Sequence, residues 1–416
     1  MGIYKLKCLS CNRILEDDYT NKCNSCNALL RTKYEKKQLT LRNDLPGIWK
    51  YIDWLPVNSY FETDTSIKTY KSNGLAKELG LSNLYISCAG YFPEIGVKNK
   101  ACSFKELESV PTYQRMKEKN KKGIILASAG NTGISFAYMS KITKIPAIII
   151  IPESAKLLVP YPKIDTVLLI AVQGNDYFNA IHLASRIKKE GFVSEGGARN
   201  IARRDGMALV MVDAAFTLKT LPDHYFQAIG SGTGAVSVWE ATLRLLNDGR
   251  FGKTKTKLHI SQNHPFNPIH NAWSRKAKEI DVDKDMSNAS ANIKKVKATM
   301  LTNRMPPYSI IGGVYDALRD TNGETYAVTN KEIDSAIKLF YELEGIDIPA
   351  EPAVAIGSLL QAIEQKKVKP SDKILLNLTA AGFERLKKDH GLYSLKPTYI
   401  AKNEHIPIED LPLDDL

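Results

Sequence analysis

The sequence predicts an α/β protein: two α/β domains built on parallel sheets, behind a small N-terminal metal-binding module. Three observations lead there. Short apolar runs alternate with helix-length runs from residue 84 onward, glycine-bearing turns follow two of those apolar runs, and four of the six cysteines crowd into the first 26 residues. Strands separated by helices join through right-handed crossovers, and such crossovers build parallel sheets.

The cysteines come first, as Cys8-x2-Cys11-x11-Cys23-x2-Cys26. Two thiol pairs separated by a hairpin-sized loop supply the four ligands of a tetrahedral site. Residues 1–35 therefore read as a zinc-ribbon-like module, with rubredoxin-like iron as the alternative metal. Four thiolates leave no open coordination position, so the metal is expected to be structural rather than catalytic or DNA-reading. Cys88 lies in a strand-like run and is expected to pack as a small apolar residue. Cys102 precedes Lys105 by three positions and is expected to pack beside the site.

Residues 43–69, with Trp49 and Trp54, should wrap the core. Strand Leu84–Ser87, helix Ser103–Lys119, strand Gly123–Ala127, helix Asn131–Lys141 and strand Ala147–Ile151 follow. Next come strand Thr166–Val172, helix Tyr177–Lys189, strand Asp223–Ile229, helix Thr233–Leu246 and strand Lys257–Ser261. Helices Glu332–Glu342 and Ala353–Gln365 and strand Lys373–Leu378 close the pattern. The expected division is 36–127 with 206–416 as a large cofactor-binding domain and 128–205 as a small mobile α/β domain. The acidic, proline-containing tail from Pro397 is expected on the surface.

At 416 residues, 44% apolar and 25% charged, the composition is that of a soluble globular enzyme. The longest apolar run, around Ile145–Ile151, is too short to span a bilayer. No signal-peptide core follows Met1, so a cytoplasmic protein with reduced thiols and no membrane partner is expected. The net charge of +12 is spread over lysine runs such as Lys117, Lys119, Lys121 and Lys122 without interleaved aromatics. That pattern suits small anionic substrates better than nucleic acid.

Lys105 sits in Ser103-Phe104-Lys105, and Ser128-Ala129-Gly130-Asn131-Thr132-Gly133 falls at the next strand-to-helix turn. A lysine in a low-dielectric pocket can keep a neutral amine and form an imine. Backbone N–H groups at a helix start can hold an anion. Gly230-Ser231-Gly232-Thr233-Gly234 is a second anion cradle, after the strand-like Tyr225–Ile229. It lacks the Gly-Lys-Ser/Thr ending of a nucleotide-triphosphate loop. Lysine, asparagine turn and phosphate cradle together suit pyridoxal 5'-phosphate (PLP).

In this order the three motifs resemble the fold type II family of PLP enzymes (tryptophan synthase β-like), which includes threonine synthase and cysteine synthase. The resemblance implies that Lys105 forms the imine, that Asn131 bonds the cofactor's phenolic oxygen, and that Ser128, Ala129, Gly130 and Thr132 hold a substrate carboxylate. It places the phosphate at Gly230–Gly234 and, through Asn377-Leu378-Thr379-Ala380-Ala381-Gly382, sets Thr379 against the pyridine nitrogen. Glu351-Pro352-Ala353 resembles an element near the ring. The family's Asn-Pro-x-Gly-Ser-Phe-Lys-x-Arg is here Asn99-Lys100-Ala101-Cys102-Ser103-Phe104-Lys105-Glu106-Leu107, without the Pro, Gly and Arg.

Residues 194–207, Pro222–Gln227, Gln262-Asn263 and Pro306–Ser309 resemble the cysteate synthases, a branch of the threonine synthase family that serves coenzyme M biosynthesis in methanogenic archaea. That resemblance implies conversion of O-phospho-L-serine and sulfite to L-cysteate and phosphate. Lys100, Arg199, Arg203 and Arg204 are the candidate cations for the two anions. The alternatives are threonine synthase acting on phosphohomoserine, cysteine synthase using sulfide, and a non-catalytic regulator. Further copies of the chain are the expected protein partners, as a homodimer or higher homo-oligomer.

Overall fold

A computed structural model describes residues 3–128, 130–174 and 177–416. An antiparallel sheet of three strands forms the N-terminal module, with Tyr4–Cys8 between Ile14–Leu15 and Leu30–Tyr34. The larger of the two main sheets runs Glu324–Val328, Lys257–Asn263, His224–Ala228, Lys373–Leu378, Asn83–Cys88 and Lys68–Lys71. Only its last pair is antiparallel. The smaller runs Phe192–Ser194, Gly123–Ala127, Ala147–Pro152, Val167–Val172 and Tyr399–Ala401, parallel throughout. Ala147–Pro152 is buried along its whole length, as a parallel strand covered on both faces must be.

Three features depart from the sequence reading. Gly123–Ala127, expected in the large domain, pairs with Ala147–Pro152 in the smaller sheet, with Ile124 opposite Ala147. The tail from Pro397 is not simply superficial. Its Tyr399–Ala401 segment pairs with Val167–Val172, and Ala401 and Leu411 are buried. The stretch 194–207, read only for its motifs, opens an 18-residue helix, Ile201–Leu218. Asn200 starts that helix, its Oδ1 accepting from Ala202 N at 3.0 Å and Arg203 N at 3.3 Å.

Helices Lys105–Glu118 and Ile201–Leu218 form the centre of the molecule. Every residue from Glu106 to Met116 and from Ile201 to Ala215 is buried. They meet at backbone distance. A Cβ on Gly206 would lie 1.7 Å from Leu107 O and 2.9 Å from Pro111 Cγ. Pro111 lacks the N–H that would bond Leu107 O inside the helix, and that carbonyl is the one facing Gly206.

The ribbon docks across both helices. Arg115 donates to Asp17 through Nε at 2.7 Å and Nη2 at 2.5 Å, while Thr32 and Tyr34 donate to Asp205 at 2.5 and 2.7 Å. Gly206→Ala should therefore force the helices apart. The expected loss is about 1–3 kcal/mol, the range for an overpacked core, seen as a lower denaturation midpoint. An unchanged midpoint would contradict the contact.

Candidate active site

One cavity gathers the starts of three helices at the carboxyl ends of both main sheets. Lys105 opens the first, the Asn131–Thr143 helix the second and the Thr233–Asp248 helix the third. Crevices outside the carboxyl ends of parallel strands are where such sheets bind ligands. Ser128, Gly130, Asn131, Thr132, Gly230 through Gly234 and Thr379 all line it, as do Tyr177, Arg203, Gln227, Glu351 and the segment Thr299–Asn303. Ala129, a candidate carboxylate contact, lies outside the described residues.

The approach to Lys105 is held from several sides. Asn99 donates to Ser66 O at 2.9 Å and Ala89 O at 2.8 Å, and accepts from Ser66 N at 2.8 Å. Glu106 accepts from Ala101 N and from Thr65 Oγ1. Burial pushes its carboxyl up to about 7. Phe104 N donates to Thr379 O at 3.1 Å and Ala381 N to Cys102 O at 2.9 Å, so the lysine loop and the threonine loop are one unit. Cys102 carries a φ of +49°, at the position where the family pattern has glycine. That is the left-handed region, which a side chain rarely adopts.

Four charges alternate beside the cavity. Lys105 Nζ donates to Glu108 Oε2 at 3.2 Å, Arg203 Nε lies 3.0 Å from the same oxygen, and Arg203 Nη1 donates to Glu195 Oε1 at 2.6 Å. Burial lowers the Lys105 pKa, with Glu108 opposing and Arg203 adding to the fall. Burial also works against the Arg203 charge, but Glu108 and Glu195 outweigh it and hold its pKa above the usual value.

The expected cluster of four cations does not assemble here. Arg203 alone lines the cavity. Lys100 Nζ lies 2.7 Å from His390 Nε2 and over the Tyr91 ring. Arg199 donates to Asn27 Oδ1 of the ribbon at 2.5 Å. Arg204 is buried, donating to Leu30 O, Ala198 O and, at 3.1 Å, Glu240. Arg199 lies in the turn before the helix, while Arg203 and Arg204 point different ways because the helix turns about 100° per residue. Arg199 and Arg204 anchor the ribbon.

The sequence reading missed Glu108, Tyr177, Gln227 and Thr299–Asn303. The last has hydroxyl and amide side chains but no motif spacing. Glu108 follows Lys105 by three positions, which puts both on one face of a helix, and that was the available signal.

In the ribbon, the sulfurs of Cys8, Cys11, Cys23 and Cys26 lie within 4.8 Å of one another. Three of the pairs are 3.4, 3.7 and 3.8 Å apart. A tetrahedral zinc with ~2.3 Å bonds has edges of about 3.8 Å, so the four sulfurs could hold a metal ion.

The family described as "Pyridoxal-phosphate dependent enzyme" matches residues 61–380. The chain belongs to that family. Proteins named cysteate synthase are similar over almost its full length. That of Methanosarcina barkeri is 52% identical over 417 residues, covering 99% of this chain and 100% of the relative. That of Methanosarcina acetivorans is 50% identical with the same coverage. That of Methanocella paludicola is 46% identical, covering 99% of this chain and 97% of its own. Among solved structures, an L-serine ammonia-lyase from Rhizomucor miehei has a TM-score of 0.58 at 14% identity, covering 80% of this chain and 100% of that one. Maize serine racemase has a TM-score of 0.57 at 16% identity, covering 77% and 90%. These two share the fold, which is fold type II.

The cavity fits the family's cofactor. Asn131 Oδ1 is buried without a hydrogen-bond partner among the described residues, as an amide is when a polar ligand belongs beside it. The Gly230–Gly234 turn leads directly into a 16-residue helix, whose free N–H groups suit a phosphate. Gly232 has a φ of +78°, and a Cβ there would lie 2.5 Å from Val314 Cγ2. A left-handed alanine costs about 1–2 kcal/mol. Gly232→Ala should therefore weaken PLP binding by roughly tenfold, measured by absorbance titration of the cofactor-free protein. Unchanged affinity would count against a phosphate at this turn.

Proposed function

We propose that the chain converts O-phospho-L-serine and sulfite into L-cysteate and phosphate. Support comes chiefly from the full-length similarity to proteins named cysteate synthase. The cavity that joins Lys105, Asn131, Gly230–Gly234 and Thr379 agrees with it.

Bound PLP would supply an electron sink that acidifies Cα of an attached amino acid and lets a group leave Cβ. Lys105 would be the covalent anchor, and its Nζ, when free, would take the Cα proton and later return it to Cα. The Cβ–O bond to phosphate breaks, and a Cβ–S bond to sulfite sulfur forms. Asn131 would hold the cofactor's phenolic oxygen. Thr379, a neutral hydroxyl on the cavity wall, would not keep the pyridine nitrogen protonated as a carboxylate does, which would favour prompt loss of the leaving group. The turn from Ser128 to Thr132 would receive the substrate carboxylate, with the Ser128 N–H itself already bonded to Ile150 O at 2.9 Å.

Arg203 is held between two carboxylates, so it is not an open receptor for the phosphate and sulfite anions. Closure of the small domain would exclude water from the reacting Cβ. The four ribbon thiolates hold a structural zinc, and the enzyme works in the cytoplasm, in coenzyme M biosynthesis, as a homodimer or higher homo-oligomer. No helix among the described residues is long and apolar enough to cross a membrane.

Phosphate release from phosphoserine and from phosphohomoserine, each with water, sulfide or sulfite, tests the reaction. Phosphoserine with sulfite should be fastest, with cysteate as product. Preference for phosphohomoserine with water would make it a threonine synthase, preference for sulfide a cysteine synthase, and no turnover a regulator. Lys105→Ala should abolish turnover and covalent cofactor attachment while the circular dichroism spectrum stays native. Attachment at another lysine would overturn the assignment. Cys8→Ser or Cys26→Ser should release metal and lower thermal stability, with activity per folded molecule nearly unchanged. Direct loss of turnover on metal removal from folded enzyme would contradict a structural metal.

A further inference from the structure

Lys105, Glu108, Arg203 and Glu195 form one alternating line of charge, and neither glutamate has been given a task in the reaction. Glu108 is fully buried on the face of the helix that carries Lys105. Both cations gather on its Oε2, while its Oε1 is buried without a hydrogen-bond partner among the described residues. Glu195 is also buried, on the loop after strand Phe192–Ser194, and its Oε2 is engaged by Gly197 N at 3.0 Å. Burying three of these charges, with Lys105 partly buried beside them, is expensive, and hydrophobic side chains of the same volume would serve stability as well. Their position against the lysine therefore calls for another account.

We propose that Glu108 is a positioning residue that receives the Lys105 ammonium whenever the lysine is free of the cofactor, with Arg203 and Glu195 holding Glu108 in place. The inference rests on Lys105 being the lysine that carries the proton. Once it has taken the proton from Cα, Lys105 is an ammonium in a dry cavity. An ammonium there needs a fixed carboxylate or it surrenders the proton at once. Glu108 lies at hydrogen-bond distance from Nζ and acts through it, without contact with substrate. Arg203 is then a brace for Glu108 rather than an anion receptor. The charged and titratable groups facing this line are Glu108 on the lysine's own helix, Arg203 on the packed helix, Glu195 on the neighbouring loop, and Tyr177 across the cavity.

Glu108→Gln keeps the shape and removes the charge, and Glu108→Asp keeps the charge and withdraws it. A negative charge favours the protonated lysine nitrogen. Its loss should shift the pH midpoint of the visible band of the lysine-bound cofactor in resting holoenzyme downward. The expected shift is about one pH unit, tenfold in proton affinity, with a smaller shift in the same direction for Asp. The kcat for phosphoserine should fall at least about tenfold with its KM nearly unchanged, as for an interaction made after binding. A merely structural ion pair would lower thermal stability without moving the band. Unmoved midpoints in both variants, or in Asp alone if the Gln variant does not fold, overturn the inference. Borohydride reduction and peptide mapping of wild type separates this from the parent reading: a label away from Lys105 brings down the lysine assignment itself.

Discussion

The backbone contact at Gly206 sets the distances on which the site depends. It allows helix Ile201–Leu218 to lie against Leu107 and Pro111, one turn past Lys105. At that separation Arg203 reaches Glu108, and Arg204, next in sequence, points away toward the ribbon. A methyl group at the crossing would push apart the lysine and the charges beside it. The ribbon closes the arrangement from outside, since Asp17 grips Arg115 on one helix while Thr32 and Tyr34 grip Asp205 on the other. A small module, with its own apolar cluster around Leu6, Ala28 and Leu30, thereby clamps two helices whose crossing sets the site.

The electrostatics of the cavity follow from this packing more than from the overall charge. The chain carries +12, yet beside the lysine the charges are matched two against two. The matching means that the line adds no net charge to the cavity. It also makes the line sensitive: removing one member leaves an uncompensated buried charge, which costs far more than the pair contributes.

Much of the fold was legible in the sequence, and what escaped has physical reasons. Gly123–Ala127 and Lys373–Leu378 are strands over the residues expected, because parallel strands covered on both faces read as unbroken apolar runs. The three loops meet in one cavity because each follows such a strand or opens a helix. Helix Ile201–Leu218 escaped because it is buried on all sides through Ala215, and a helix without a solvent face has no amphipathic period to detect. Its charged residues looked like a binding patch for the same reason, since sequence does not distinguish a buried arginine with a partner from one awaiting a ligand. Lys100, Arg199 and Arg204 found partners outside the cavity. The sheet assignment of Gly123–Ala127 was not legible, since an apolar strand fits either sheet.

The strand Tyr399–Ala401 has a consequence for the order in which the molecule can be made. The smaller sheet needs pieces from residue 123 to residue 401 before its last edge is covered. During synthesis Val167–Val172, apolar and buried in the finished protein, emerges more than two hundred residues ahead of the strand that shields it. Until then its free edge is a template for pairing with another nascent chain. The larger sheet also waits, since Asn83–Cys88 pairs with Lys373–Leu378. Both main sheets therefore close only once their C-terminal strands, Lys373–Leu378 and Tyr399–Ala401, have emerged.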